Sequence, residues 1–149
     1  MSVPPKRKRL SPRGSKQKGD KFERELAAYI AEATGLQCER APLSGGGVVG
    51  LFAGGADLIG TPGIHVEAKR CEAFKFESWL AQCMASITKL NAPEAPVIVA
   101  RKSRMPIGEA RVQLPLDFFL TLYRAWLIQE GYVRPADHRP QAGGRPAPL

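Results

Sequence analysis

The hydrophobic period of this chain changes from helical to strand-like and back, and that order of elements leaves few architectures open. From Lys21 to about Ala33, Phe22, Leu26, Tyr29, Ile30 and Ala33 recur at helical spacing on one face, and Gly35 stands where a C-terminal cap belongs. Leu36 to Ala41 then reads as a short strand, Ser44 to Gly55 as a glycine-rich loop and Ala56 to Gly60 as a second strand. Thr61-Pro62-Gly63 predicts a turn. After it the period drops to two, so Ile64, Val66 and Ala68 face a core while His65, Glu67 and Lys69 form a polar side. Phe76 to about Leu90 reads as a helix, Pro96 to Arg101 as a buried strand, Ala110 to Leu114 as one more strand and Leu116 to Gln129 as a closing helix. Without an internal repeat, this order predicts an α/β sandwich with a central mixed β-sheet flanked by helices.

With 149 residues and 44% hydrophobic content the chain suits one core. No apolar run approaches the roughly 20 residues that span a bilayer, and no basic-then-apolar leader opens the chain, so a cytoplasmic protein with no membrane partner is expected. Cys38, Cys71 and Cys83 are odd in number and form no CxxC pair, against both a disulfide framework and a zinc knuckle. No Walker-type lysine follows Gly45, Gly46 and Gly47, which excludes a nucleotide cofactor of that class.

The net charge of +8 is concentrated rather than spread. Residues 1–21 carry Lys6, Arg7, Lys8, Arg9, Arg13, Lys16, Lys18 and Lys21 against Asp20 alone, and the rest of the chain is nearly neutral. Such a segment lacks apolar surface to bury but can release counterions from nucleic-acid phosphates. Three regions follow: a basic, disordered arm expected to contact DNA at 1–17, one domain at 18–133 and a flexible Pro-, Gly- and Ala-rich tail at 134–149.

The turn at Thr61-Pro62-Gly63 should fold Glu67 back beside Asp57. Two carboxylates in one site repel unless a cation neutralises them, and hard oxygen donors suit Mg²⁺ or Mn²⁺. The backbone carbonyl of Ala68 is a further candidate ligand. Lys69 shares the face of Glu67 and can help position or deprotonate a water and offset charge growing on a phosphate. Metal-assisted phosphodiester hydrolysis is the chemistry these residue types fit. Asp57 capping a loop beside an ordinary Glu67–Lys69 surface pair is the structural alternative. His65 is either a supporting group, a general base or a structural histidine, and the apolar helix from Leu116 is either a core lid or a dimer surface.

Lys18-Gly19-Asp20-Lys21-Phe22-Glu23-Arg24-Glu25, a strand ending in Arg40, Ser44-Gly45-Gly46, Gly55-Ala56-Asp57-Leu58-Ile59 and Val66-Glu67-Ala68-Lys69 occur in that order. This series resembles the PD-(D/E)xK nuclease superfamily, and within it the archaeal-type Holliday junction resolvases and their phage-encoded relatives. The resemblance covers roughly residues 18–101 and implies a restriction-endonuclease-like fold. It implies catalytic roles for Glu23, Asp57, Glu67 and Lys69, with Glu23 joining Asp57, Glu67 and the Ala68 carbonyl around Mg²⁺ or Mn²⁺. Lys18, Arg24, Arg40 and Ser44 fall at positions that touch DNA or support the site, and Gln82 matches a glutamine placed near the metal. Glu23 and Glu25 point about 200° apart on a helix, so only one of them can face the site. Ala56 stands where the superfamily's name has proline, and the Ser44 to Gly55 loop is longer than in compact archaeal members, a difference of the kind that selects substrate geometry.

The resemblance thus implies a homodimeric Mg²⁺-dependent endonuclease acting on junctions or other branched DNA. A nicking or restriction-like endonuclease of the same superfamily is one alternative. A nucleic-acid-binding module that no longer cuts is the other, and the intact set of three acids and a lysine argues against it.

Overall fold

The computed structural model describes residues 11–42, 55–91 and 93–137. Helix α1 runs Pro12–Thr34, followed by strands β1 (Glu39–Arg40), β2 (Leu58–Ile59) and β3 (Ile64–Cys71). Helix α2 (Phe76–Leu90) leads to β4 (Ala95–Lys102), β5 (Arg111–Gln113) and α3 (Leu116–Gln129).

Helix α1 begins nine residues before the expected start at Lys21. Ser11 caps it by accepting from the Gly14 amide at 3.2 Å, and Pro12 occupies the first turn, where its missing N–H costs nothing. Residues 12–17, expected in the arm, are therefore helical, while residues 1–10 lie outside the described residues. At the other end Gly35, at φ 75°, closes the helix on the Ala31 carbonyl.

Strands β3 and β4 pair in parallel over eight residues from Ile64↔Ala95 to Cys71↔Lys102, and β5 adds antiparallel to β4. Parallel neighbours need a crossover, and α2 supplies it. The sheet is covered on both faces. On one, Phe22, Leu26 and Ala27 of α1 meet Val66, Val97 and Val99, together with Cys38 and Leu58. On the other, α2 packs on β4 and β3, and the alternate residues Ile98, Ala100 and His65 are buried together with Cys83 of α2. The expected polar face of β3 is thus not a solvent face: a crossover helix lies over it, and His65 is only 2% exposed.

Strand β2 is shorter than the expected Ala56 to Gly60 and pairs with β1 rather than with β3 (Glu39↔Ile59, Arg40↔Leu58). The backbone of Asp57 is used in two directions instead. Its amide donates to Val66 O at 2.9 Å, and its carbonyl accepts from Ala41 N at 2.8 Å, which stitches the small sheet to β3. Gly60 makes the return possible, because at φ 81° a Cβ there would lie 1.9 Å from the Gln37 carbonyl oxygen.

Helix α3 has no fully buried residue. Phe118 packs toward the core, whereas Phe119, Leu122, Tyr123 and Trp126 stay about half exposed. Among the described residues no helix is long and apolar enough to cross a membrane.

Candidate active site

Asp57, Glu67, Lys69 and Gln82, with Gly55 and Ser86, line one open cavity of about 260 Å³. The topology explains the convergence. Glu67 and Lys69 are two apart on β3 and so share the α2 face, Gln82 and Ser86 are one helical turn apart on α2, and Asp57 enters at the strand edge. The Asp57 carboxylate is clamped there: its Oδ2 accepts from the Ala68 amide at 2.7 Å. In an extended strand a residue's N–H and C=O lie along the same edge, so the Ala68 carbonyl is also on the Asp57 side, as is the Val66 carbonyl that receives the Asp57 amide. Lys69 Nζ sits 2.6 Å from Glu67 Oε1.

The electrostatics are those of crowded acids. Burial and the neighbouring Glu67 charge push the Asp57 carboxyl up to about 7; the Ala68 hydrogen bond opposes them, Glu23 adds to the rise and Lys69 offsets it. Cys83, beneath the acids on α2, is pushed up to about 11, first by burial and then by Glu67 and Asp57.

Glu23 is near enough for Asp57 to feel its charge, but it does not line the cavity. Its Oε2 accepts from Arg40 Nε at 2.5 Å, while Arg40 Nη2 reaches Asp20 Oδ1 at 2.7 Å. Arg40 is therefore a mostly buried strut that fixes α1 against β1, with its guanidinium occupied by acids. Glu25 is turned away and bridges Arg101 at 2.6 Å.

His65 faces a neighbouring cavity, lined also by Thr61 and Glu94, and not the one that holds the carboxylates. Burial lowers its pKa, against the pull of Glu67 and Glu94, and its Nε2 has no hydrogen-bond partner among the described residues. Arg24 and Lys18 are exposed on α1, whereas Ser44 and the glycines after it lie outside the described residues. Ser86 is a site residue beyond those the sequence reading named, and it was discoverable, since it lies four residues after Gln82 on the same helix.

The donor set fits a divalent cation. Asp57, Glu67 and the Ala68 carbonyl offer hard oxygens on one edge, and burial followed by the Glu67 charge raises Asp57, both of which a bound cation would offset. Among the described residues no three His, Cys, Asp or Glu side chains stand close enough together to hold a metal on their own. The backbone oxygen and a water shell would complete the coordination, as is usual for Mg²⁺.

An acid at a strand edge facing a strand-borne Glu-x-Lys, on a mixed sheet between helices, is the arrangement of a PD-(D/E)xK nuclease. The family described as "Phage putative PDDEXK endonuclease" matches residues 14–126, and the chain belongs to it. The match begins inside α1 and ends inside α3, so it includes the whole cavity. No curated protein and no solved structure matches the chain.

Proposed function

We propose that this endonuclease hydrolyses DNA phosphodiester bonds with a divalent metal, Mg²⁺ or Mn²⁺, at the Asp57 cavity, and that its preferred substrate is a four-way junction or other branched DNA. The observation that carries the reading is the convergence of Asp57, Glu67, Lys69 and Gln82 on one cavity, with Asp57 held in place by the Ala68 amide. Asp57, Glu67 and the Ala68 carbonyl would hold the cation, with Glu23 available if it swings from Arg40. The cation supplies Lewis acidity and charge neutralisation at the scissile phosphate.

The remaining work falls to the chain. Lys69 is tied to Glu67 while the site is free of substrate, and its ammonium can turn to the charge that grows on the phosphate. Gln82 and Ser86 offer neutral donors and acceptors across the cavity that can orient a water.

Junction preference rests on the resemblance of the motif series together with the basic N-terminal segment, which would grip backbone phosphates without reading bases. Paired incisions need two sites, and the half-exposed aromatic side of α3 supports a homodimer as the active form in the host cytoplasm. The test is cleavage of a labelled four-way junction against linear duplex of the same sequence, in Mg²⁺, with the mass in solution measured by light scattering. Preferential paired nicks by a dimer are expected. Equal cutting of both substrates would make the enzyme a nicking or restriction-like relative, and binding without cutting in either metal would make it a non-catalytic binding module.

A further inference from the structure

On the α1 side of the sheet, Lys18, Lys21, Phe22, Glu25, Arg70 and Arg101 line a second cleft, of about 220 Å³. Arg70 and Arg101 are register partners on β3 and β4, so their Cα atoms are neighbours across the ladder, about 5 Å apart. Two guanidiniums placed so closely repel, and the fold restrains each one. Arg70 Nη1 donates to the Lys102 carbonyl at 2.9 Å, Arg101 Nε donates to the Met105 carbonyl at 2.6 Å, and the Phe22 ring lies 5.9 Å from the Arg101 guanidinium carbon. Glu25 is shared between Arg101 Nη1, at 2.6 Å, and Lys21 Nζ, at 3.8 Å. One shared carboxylate cannot balance four cations, so the cleft keeps a surplus of positive charge on preorganised planar forks.

We infer that this cleft binds a backbone phosphate of the DNA strand beside the phosphate being cut, an assignment that rests on the nuclease reading and extends it. Its place in the fold supports this. Arg70 directly follows Lys69 on β3, and Lys18 precedes Glu23 by five residues of α1, about 7.5 Å of helix. That is about two base steps of axial rise, at about 3.4 Å per phosphate of one strand. Because neighbouring strand residues point to opposite faces, Lys69 serves the α2 side and Arg70 the α1 side. A strand crossing the C-terminal ends of β3 and β4 would meet both. Arg40 and Arg101 differ in what they leave over: the first is matched by Asp20 and Glu23, the second by half of Glu25's attention.

The test is anisotropy of a fluorescein-labelled 20-bp duplex, titrated in chelator at several NaCl concentrations. Arg70→Gln should flatten the slope of log Kobs against log salt by about 0.9, the value of one lost phosphate contact, and Lys18→Gln/Lys21→Gln by about 0.9 to 1.8. The lysine pair is solvent-exposed, so that variant reports even if Arg70→Gln melts early. Lys89→Gln, at the far end of α2, should keep the wild-type slope. Wild-type slopes in both cleft variants, or an equal loss in Lys89→Gln, would overturn the cleft alone, provided that the wild-type protein cuts DNA in Mg²⁺. A wild-type protein that neither binds nor cuts would overturn the nuclease reading and the cleft with it.

Discussion

Replacing Asp57 by Asn should make the metal-free protein more stable at alkaline pH, although it removes a side chain from the centre of the site. Asn keeps the shape and an oxygen that can accept from the Ala68 amide, so the Asp57 hydrogen bond survives. What disappears is the charge. In the folded chain the Asp57 carboxyl titrates at about 7, against an ordinary value of 3.8. Between these values the unfolded chain has released its proton while the folded chain still holds it. Stability therefore falls as pH rises from about 4 to 7 and is level above that. At 1.36 kcal/mol per decade of binding, the cost at pH 8 has a ceiling of about 4 kcal/mol, reduced by whatever water reaches the open cavity. Urea denaturation in chelator should accordingly show Asp57→Asn and wild type nearly equal at pH 3.5. The mutant should gain an advantage of about 2 to 4 kcal/mol by pH 8. Titrations of carboxylates remote from Asp57 cancel in that difference. A difference that does not change with pH, or a mutant weaker than wild type at pH 8, would refute the crowded-acid account.

Gly60→Ala forces a Cβ to 1.9 Å from the Gln37 carbonyl oxygen and should cost several kcal/mol, on the order of the 3 to 5 typical of severe core damage, whereas Gly63→Ala meets no atom within 4 Å and should cost only the backbone strain of about 1 to 2 kcal/mol. Thermal melts of the two variants check the contrast. Arg40→Ala strands Glu23 and Asp20 in a partly buried position and should lose about 3 kcal/mol, with activity reduced even at temperatures where the variant is folded. Lys69→Met strands Glu67 beside Asp57 and should lower the melting temperature in chelator, and at temperatures where the variant is folded it should slow single-turnover cleavage by about 10² to 10³-fold, as expected for removal of one charge-stabilising group.

Periodicity located the elements that bury a single stripe. The limits of α2 and α3 coincide with Phe76 to Leu90 and Leu116 to Gln129, because each has apolar residues at helical spacing bounded by a turn or proline. The same logic missed the first third of α1, where lysines and arginines suggest a solvated arm; a basic helix that projects past the core needs only a cap and helix-compatible residues, and Ser11-Pro12 supplies the cap. His65 was placed on a polar face by strict alternation. Alternation states which residues share a face but not what covers it, and the parallel pairing of β3 with β4 brings α2 over that face.

At the site, the spacing of Glu67 and Lys69 and the turn before them were sufficient to predict a meeting with Asp57. The form of that meeting was not legible. Asp57 is held by backbone contacts to Val66 and Ala41 and by the Ala68 amide, which depend on three-dimensional register and leave no mark in residue types. The basic cleft was hidden for a similar reason: Arg70 and Arg101 are 31 positions apart in sequence and adjacent only through the β3–β4 ladder.

The most direct test is single-turnover cleavage of labelled DNA by wild type and by Asp57→Asn, each in Mg²⁺ and in excess chelator, with the folding of both proteins verified by melting. Metal-dependent strand cleavage by wild type, abolished in the better-folded mutant, is the predicted result. Cleavage that survives Asp57→Asn, or that proceeds unchanged in chelator, would contradict the assignment of Asp57 and its cavity as the metal-dependent active site.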